Sequence, residues 1–154
     1  MARTSDRSGT VGIIVIVVGV IFAVAGVVTY FIVADQLAAE NIKVSDDATY
    51  FAGQDVTGPF TAYSEAETIN KHALEATGGK TYAELDREDP ARTTAMQASF
   101  LRASLFTSVV AFGVAALAAV LGIMLILIGW SLRSLSRTVA PPGTASVDTA
   151  SATA

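Results

Sequence analysis

The chain has 154 residues, a net charge of -4 at pH 7, a mean hydropathy of +0.53 and no cysteine. The missing thiols exclude disulfides, thiol nucleophiles and thiolate metal sites, and the negative charge gives general nucleic-acid binding no electrostatic support. Charged residues make up 16% of the chain, against about 25% in a soluble domain, and the deficit is concentrated in two runs.

The N-terminal tail, residues 1–10 (MARTSDRSGT), is polar and carries Arg3 and Arg7. From Val11 to Ala34 no residue is charged. As a helix this run rises about 36 Å, enough to cross a hydrocarbon core of about 30 Å. Backbone groups in lipid must be bonded within the segment, which makes the run a helix. Ala23-Val24-Ala25 has the small-x-small form of a cleavage site. Apolar residues nevertheless continue to Ala34, past the roughly 7–15 of a secretion signal, so residues 11–34 read as an uncleaved membrane anchor.

Residues 35–102 are polar, with twelve acids against six bases, a net charge of -6. Asn41 to Val44 alternates polar and apolar, a weak strand signal. Tyr50 to Phe60 (YFAGQDVTGPF) is turn-rich. Ser64-Glu65-Ala66-Glu67 has the form of a capping box and predicts a helix running to Thr77, stopped by Gly78-Gly79. Thr81-Tyr82-Ala83-Glu84 repeats the form and predicts a shorter helix. Asp89-Pro90 predicts a third start, from which nothing breaks the pattern until about Arg133. Tyr50, Phe51, Phe60, Tyr63 and Tyr82 are the expected small core of this segment.

The second uncharged run spans 103–132, long enough for another transmembrane helix. The tail 133–154 is small, polar and Pro/Gly-containing, and is expected to be disordered. Arg3, Arg7, Arg133 and Arg137 flank one side of the two spans, and only Arg102 is comparably close on the other. The excess of arginine predicts both termini in the cytoplasm and 35–102 outside, with Tyr30 and Trp130 near opposite bilayer faces. The fold expected is an all-α membrane protein, a two-helix transmembrane hairpin with a small, mainly helical extracytoplasmic domain.

Within the first run Gly12, Gly19 and Gly26 recur every seven residues; within the second, Ala115, Gly122 and Gly129 do the same. Seven residues nearly close two turns, so each set forms one stripe of small residues. Small residues let helices approach closely in lipid. In an antiparallel hairpin the stripes match in depth, with Gly12 facing Gly129, Gly19 facing Gly122 and Gly26 facing Ala115. No ionisable residue lies in either run, so no proton relay or ion path is visible.

His72 is the single histidine. It lies off the apolar face Ala66, Ile69, Ala73 and Ala76, on a side where Lys71 can pair with Glu67 or Glu75. A zinc site needs three or four ligands and a non-haem iron site two histidines and a carboxylate. No G-x-S-x-G nucleophile elbow or phosphate-binding loop occurs. The acidic pairs Asp46-Asp47 and Glu88-Asp89 lack an EF-hand pattern and read as solvated charge. No catalytic, cofactor-binding or metal-ligating residue is assigned from sequence.

The stretches VSDDATYFAG, VTGPFTAYSEAE, KHALEATGGKTYAELD, DPAR and ASFLRASLFTSVVAFGVAAL, between Val44 and Leu117, resemble a family of small two-span actinobacterial membrane proteins of unknown function. Its members often carry the label of aromatic ring-opening dioxygenase, a chemistry that needs an iron held by two histidines and a carboxylate. With one histidine, the expected role is instead a non-enzymatic accessory or structural protein of the cell membrane, presenting its acidic outer segment to a membrane or envelope partner. The alternative is a subunit of a ring-opening dioxygenase, or another extracytoplasmic enzyme, involving His72. Besides the lipid bilayer and such a partner, a second copy of the chain is a partner open to it.

Overall fold

Neither long uncharged run contains a proline, and both continue as unbroken helices beyond their apolar stretches. The computed structural model describes the backbone of residues 2–138 and the side chains of 9–135. Among the described residues three helices are formed: α1 (Ala2–Ala39), α2 (Pro59–Ala76) and α3 (Ala91–Thr138). Among the described residues there is no extended strand, only an isolated antiparallel bridge between Lys43 and Asp55. Helix α3 is central, and α1 and α2 each pack along it.

The ends of the helices follow local chemistry. Asn41, with φ +52°, takes the left-handed conformation that closes α1. Pro59 stands at the start of α2 and Gly58 at its N-cap, a signal that the Ser64 capping-box reading overlooked. The predicted box at Ser64 does not form, because Ser64 already lies inside the helix. Gly78 and Gly79, with φ +64° and +85°, end α2 at the predicted place. Asp89 accepts a hydrogen bond from the Ala91 backbone N–H at 2.9 Å and so caps α3, also as predicted.

Three other expectations need correction. Half of the second capping box forms, with Glu84 accepting from the Thr81 N–H at 2.8 Å, but 81–88 makes successive turns rather than a helix. Pro90 and the Asp89 cap begin α3 too soon for a further helix to propagate. The tail expected to be disordered from 133 is helical to Thr138, since no glycine or proline intervenes; the expected disorder of 139–154 lies outside the described residues. Helix α1 likewise begins at Ala2 rather than at 11.

A buried cluster joins the helices to the 40–58 segment. It contains Leu37 of α1, Val44 and Val56 of the connecting segment, Ala62 and Ala66 of α2, and Leu105 and Phe112 of α3. The aromatics expected in this core are not there. Tyr50, Phe51, Phe60, Tyr63 and Tyr82 are all exposed. On α2 it is Ala62 and Ala66 that fill the buried cluster, while Phe60 stays outside it and Tyr63 touches α3 only at Phe106.

Candidate functional site

The first feature is the seam between α1 and α3. The structure brings Gly12 against Gly129, Gly19 against Gly122 and Gly26 against Ala115. A Cβ placed on Gly19 would lie 2.7 Å from the Gly122 carbonyl oxygen and 2.8 Å from the Ile126 nitrogen. One on Gly26 would lie 2.5 Å from the Ala115 oxygen. Backbone therefore meets backbone along the stripe, with no room for a Cβ on Gly12, Gly19, Gly26, Gly122 or Gly129.

Away from the seam the two helices present apolar side chains outward. Val17, Ile21, Val24 and Phe31 of α1, and Val114, Leu117, Ile123 and Leu127 of α3, are exposed. Only 17% of the most apolar window of each helix is buried. A core helix in a soluble protein is mostly buried, so this surface needs an apolar solvent or an apolar partner. Each helix is long and apolar enough to cross a membrane.

The register defines levels along the pair. Gly26 meets Ala115, and the Tyr30 ring packs on Phe112 with centroids 4.8 Å apart. Continuing that antiparallel register puts Asp35, the first charge after the α1 run, level with about Phe106. The uncharged run of α3 starts earlier, at Ala103. Its additional length is accounted for by Leu105, which is buried in the cluster with Val44 and Val56.

The second feature is the cap formed by 40–90. Glu65 is a buried carboxylate, 6% exposed. It accepts from the Ser45 backbone N–H at 2.7 Å and from Ser45 Oγ at 3.1 Å. Next to it, Ser64 Oγ donates to the Tyr50 carbonyl at 2.7 Å. The pair read from sequence as a helix start is in fact the clamp that ties the 45–50 loop to α2. Phe51, immediately after that loop, lies in the left-handed region with φ +59°, a costly conformation for a bulky residue.

His72 meets the same loop. Its Nε2 lies 2.9 Å from Asp47 Oδ2, and Lys71 Nζ lies 2.9 Å from the same oxygen. An ionised carboxylate only accepts, so Nε2 carries the proton in this bond. The His72 hydrogen bond, then that of Lys71, holds the Asp47 carboxyl down at about 2. Asp47 in turn raises the Lys71 ammonium. The expected helix-surface pairs of Lys71 give way to this loop contact, and Glu67 instead faces Arg102 at 3.5 Å. Among the described residues no hydroxyl bonds the imidazole, and no three His, Asp or Glu gather as a metal site. Glu84, bonded to the Thr81 backbone N–H, is held below the usual carboxylate range. Asp46 and Glu88 enter no ion pair among those described, and Asp89 serves as the α3 cap.

The fold is thus an all-helical hairpin of two long apolar helices, joined on one side by a clamped cap. No protein-family model, curated protein or solved structure matches the chain.

Proposed function

We propose that the chain is a multi-pass protein of the cell membrane, with both termini cytoplasmic and residues 35–102 outside. In this reading it is a non-enzymatic accessory or structural protein that presents its acidic cap to a membrane or envelope partner. The observation that carries it is the division of the molecule. Two helices with apolar outward surfaces meet on a glycine seam, and one of them continues without a break into a cap held by Glu65 and Asp47. Such an arrangement holds a polar surface at a fixed height above a bilayer. The arginine-rich flanks support the orientation, and the resemblance of Val44–Leu117 to two-span actinobacterial proteins supports the same class.

The chain has no cysteine, which makes the topology directly testable. Single cysteines at Ser5, Thr57 and Thr144 are expected to react with an impermeant thiol reagent in intact cells only at Thr57. Labelling at Ser5 would overturn the orientation. Purification of the chain in mild detergent is expected to retain a defined membrane or envelope protein, and a chain that runs alone in every mild detergent tried would count against the accessory role. The enzyme reading, including a dioxygenase subunit, has one observation in its favour, the His72–Asp47 pair. Catechol turnover by the purified chain, abolished in His72→Ala, would establish it.

A further inference from the structure

We infer that the N-terminal end of α2 is an interfacial foot, with Phe60 and Tyr63 seated in the headgroup region of the chain's own bilayer. The inference rests on reading α1 and α3 as membrane spans. Two contacts set the direction of α2. Tyr63 packs edge-on against Phe106 with centroids 5.8 Å apart, and Glu67 faces Arg102 at 3.5 Å. Moving four residues forward on α2 moves four back on α3, so the helices are antiparallel and α2 points its N-terminus toward the uncharged zone. Phe60 is then level with Val109, about 4.5 Å deeper than Phe106 at about 1.5 Å per residue. Because Asp35 stands at the level of Phe106, Phe60 lies about one turn below the last charge of α1.

The side chains at that end suit an interface. Residues 56–64 (VTGPFTAYS) carry no charge. The next residue, Glu65, is turned inward onto Ser45, so the first exposed charge on α2 is Glu67, a full turn above Tyr63. Phe60 is 74% exposed and Tyr63 51% exposed. Val110, at about the same level of α3, is exposed as well. Tyr63, with an apolar ring and a wet hydroxyl, suits headgroup level, and Phe60 beside it is wholly apolar. In water, Phe60 in this position would waste its transfer free energy; against lipid it fixes the height and tilt of the cap.

The test uses the full chain in phosphatidylcholine vesicles, with bromine on part of the acyl chains near the headgroup. Trp130 is the single native tryptophan and reports first on α3. In a Trp130→Phe background, Phe60→Trp and Tyr63→Trp report on the foot and Tyr82→Trp on the distal cap, where the Tyr82 ring lies under Arg92. Circular dichroism of each variant checks the helices. Phe60→Trp and Tyr63→Trp are expected to have blue-shifted emission and to lose intensity to bromolipid as strongly as Trp130 does. Tyr82→Trp is expected to respond to aqueous iodide and not to bromolipid. Loss at Trp130 with none at residues 60 and 63 overturns the foot while leaving the spans intact. Blue-shifted emission at 60 and 63 that neither quencher reaches overturns it in favour of a protein contact. An unquenched Trp130 overturns the spans and the foot together.

Discussion

Glu65 shows how much one side chain can organise. Its two oxygens accept from both the backbone and the hydroxyl of Ser45. Removing the carboxylate leaves a part-buried N–H without its partner, which costs up to about 1–3 kcal/mol. Glu65→Leu is therefore expected to destabilise the cap by about that amount, measured by denaturant unfolding in detergent. Glu65→Gln keeps an acceptor and is expected to cost less. Equal losses for the two would show that packing, not the hydrogen bond, decides the site.

Asp47 ties the same loop through charge and gives a pH dependence. Its folded carboxyl is held at about 2, below an ordinary value of 3.8. A depressed carboxyl stabilises the folded form above its ordinary value, and that contribution is lost as pH falls through about 2. The loop is thus expected to stay protected near pH 4 and to open between about pH 4 and 2. Amide hydrogen exchange at residues 45–50 measures this. In Asp47→Asn that acid step is expected to vanish. The groups are well exposed, so the contribution is further screened by salt.

At the scale of elements, α1 and α3 are held by closeness rather than by bonds. A side chain at Gly19 or Gly122 meets backbone of the opposing helix, so the helices must separate to admit it. Gly19→Ile and Gly122→Ile are each expected to lower stability in detergent by roughly 1–3 kcal/mol, the usual cost of overpacking. Val18→Ile, on an exposed side of α1, is expected to change little. Gly113 supplies a stricter comparison, because a Cβ there meets nothing within 4 Å. Gly113→Ala should leave stability unchanged or raise it by up to about 1 kcal/mol, since alanine favours a helix over glycine, while Gly19→Ala lowers it. If all four glycine variants match the parent, the seam does not hold the hairpin.

At the scale of the whole molecule, the exposed apolar surface dominates behaviour. Helices α1 and α3 bury little of it on each other. The chain is expected to stay in the membrane fraction through high-salt and alkaline carbonate washes, and to be released only by detergent. Release by carbonate alone would show that the apolar faces are covered by protein. The purified chain is also expected to hold no stoichiometric iron or zinc, since one histidine leaves either ligand set incomplete. Elemental analysis showing about one iron per chain, lost in His72→Ala, would establish the metal site instead.

Much of this architecture was legible in the residues themselves. Uncharged runs without proline can only be long helices in an apolar solvent, because the backbone must satisfy itself. Small residues every seven positions define a stripe before any partner is known. The start of α3 at Asp89 and the stop of α2 at Gly78 follow from local hydrogen bonding and φ preference, which need no tertiary context. What the sequence left open involves distant partners. Ser64 and Glu65 have the letters of a helix start, but the 45–50 loop folds back and uses their oxygens as its clamp. His72 finds Asp47 across 25 residues, a separation that no helical spacing can indicate. The rings of Phe60 and Tyr63 look like core material by composition. They stay largely exposed because Ala62 and Ala66 fill the buried cluster in their place, and Tyr63 meets α3 only at Phe106. Local order follows from the backbone and its nearest neighbours; which side of each helix is covered depends on which other segment arrives there, and that only the tertiary fold decides.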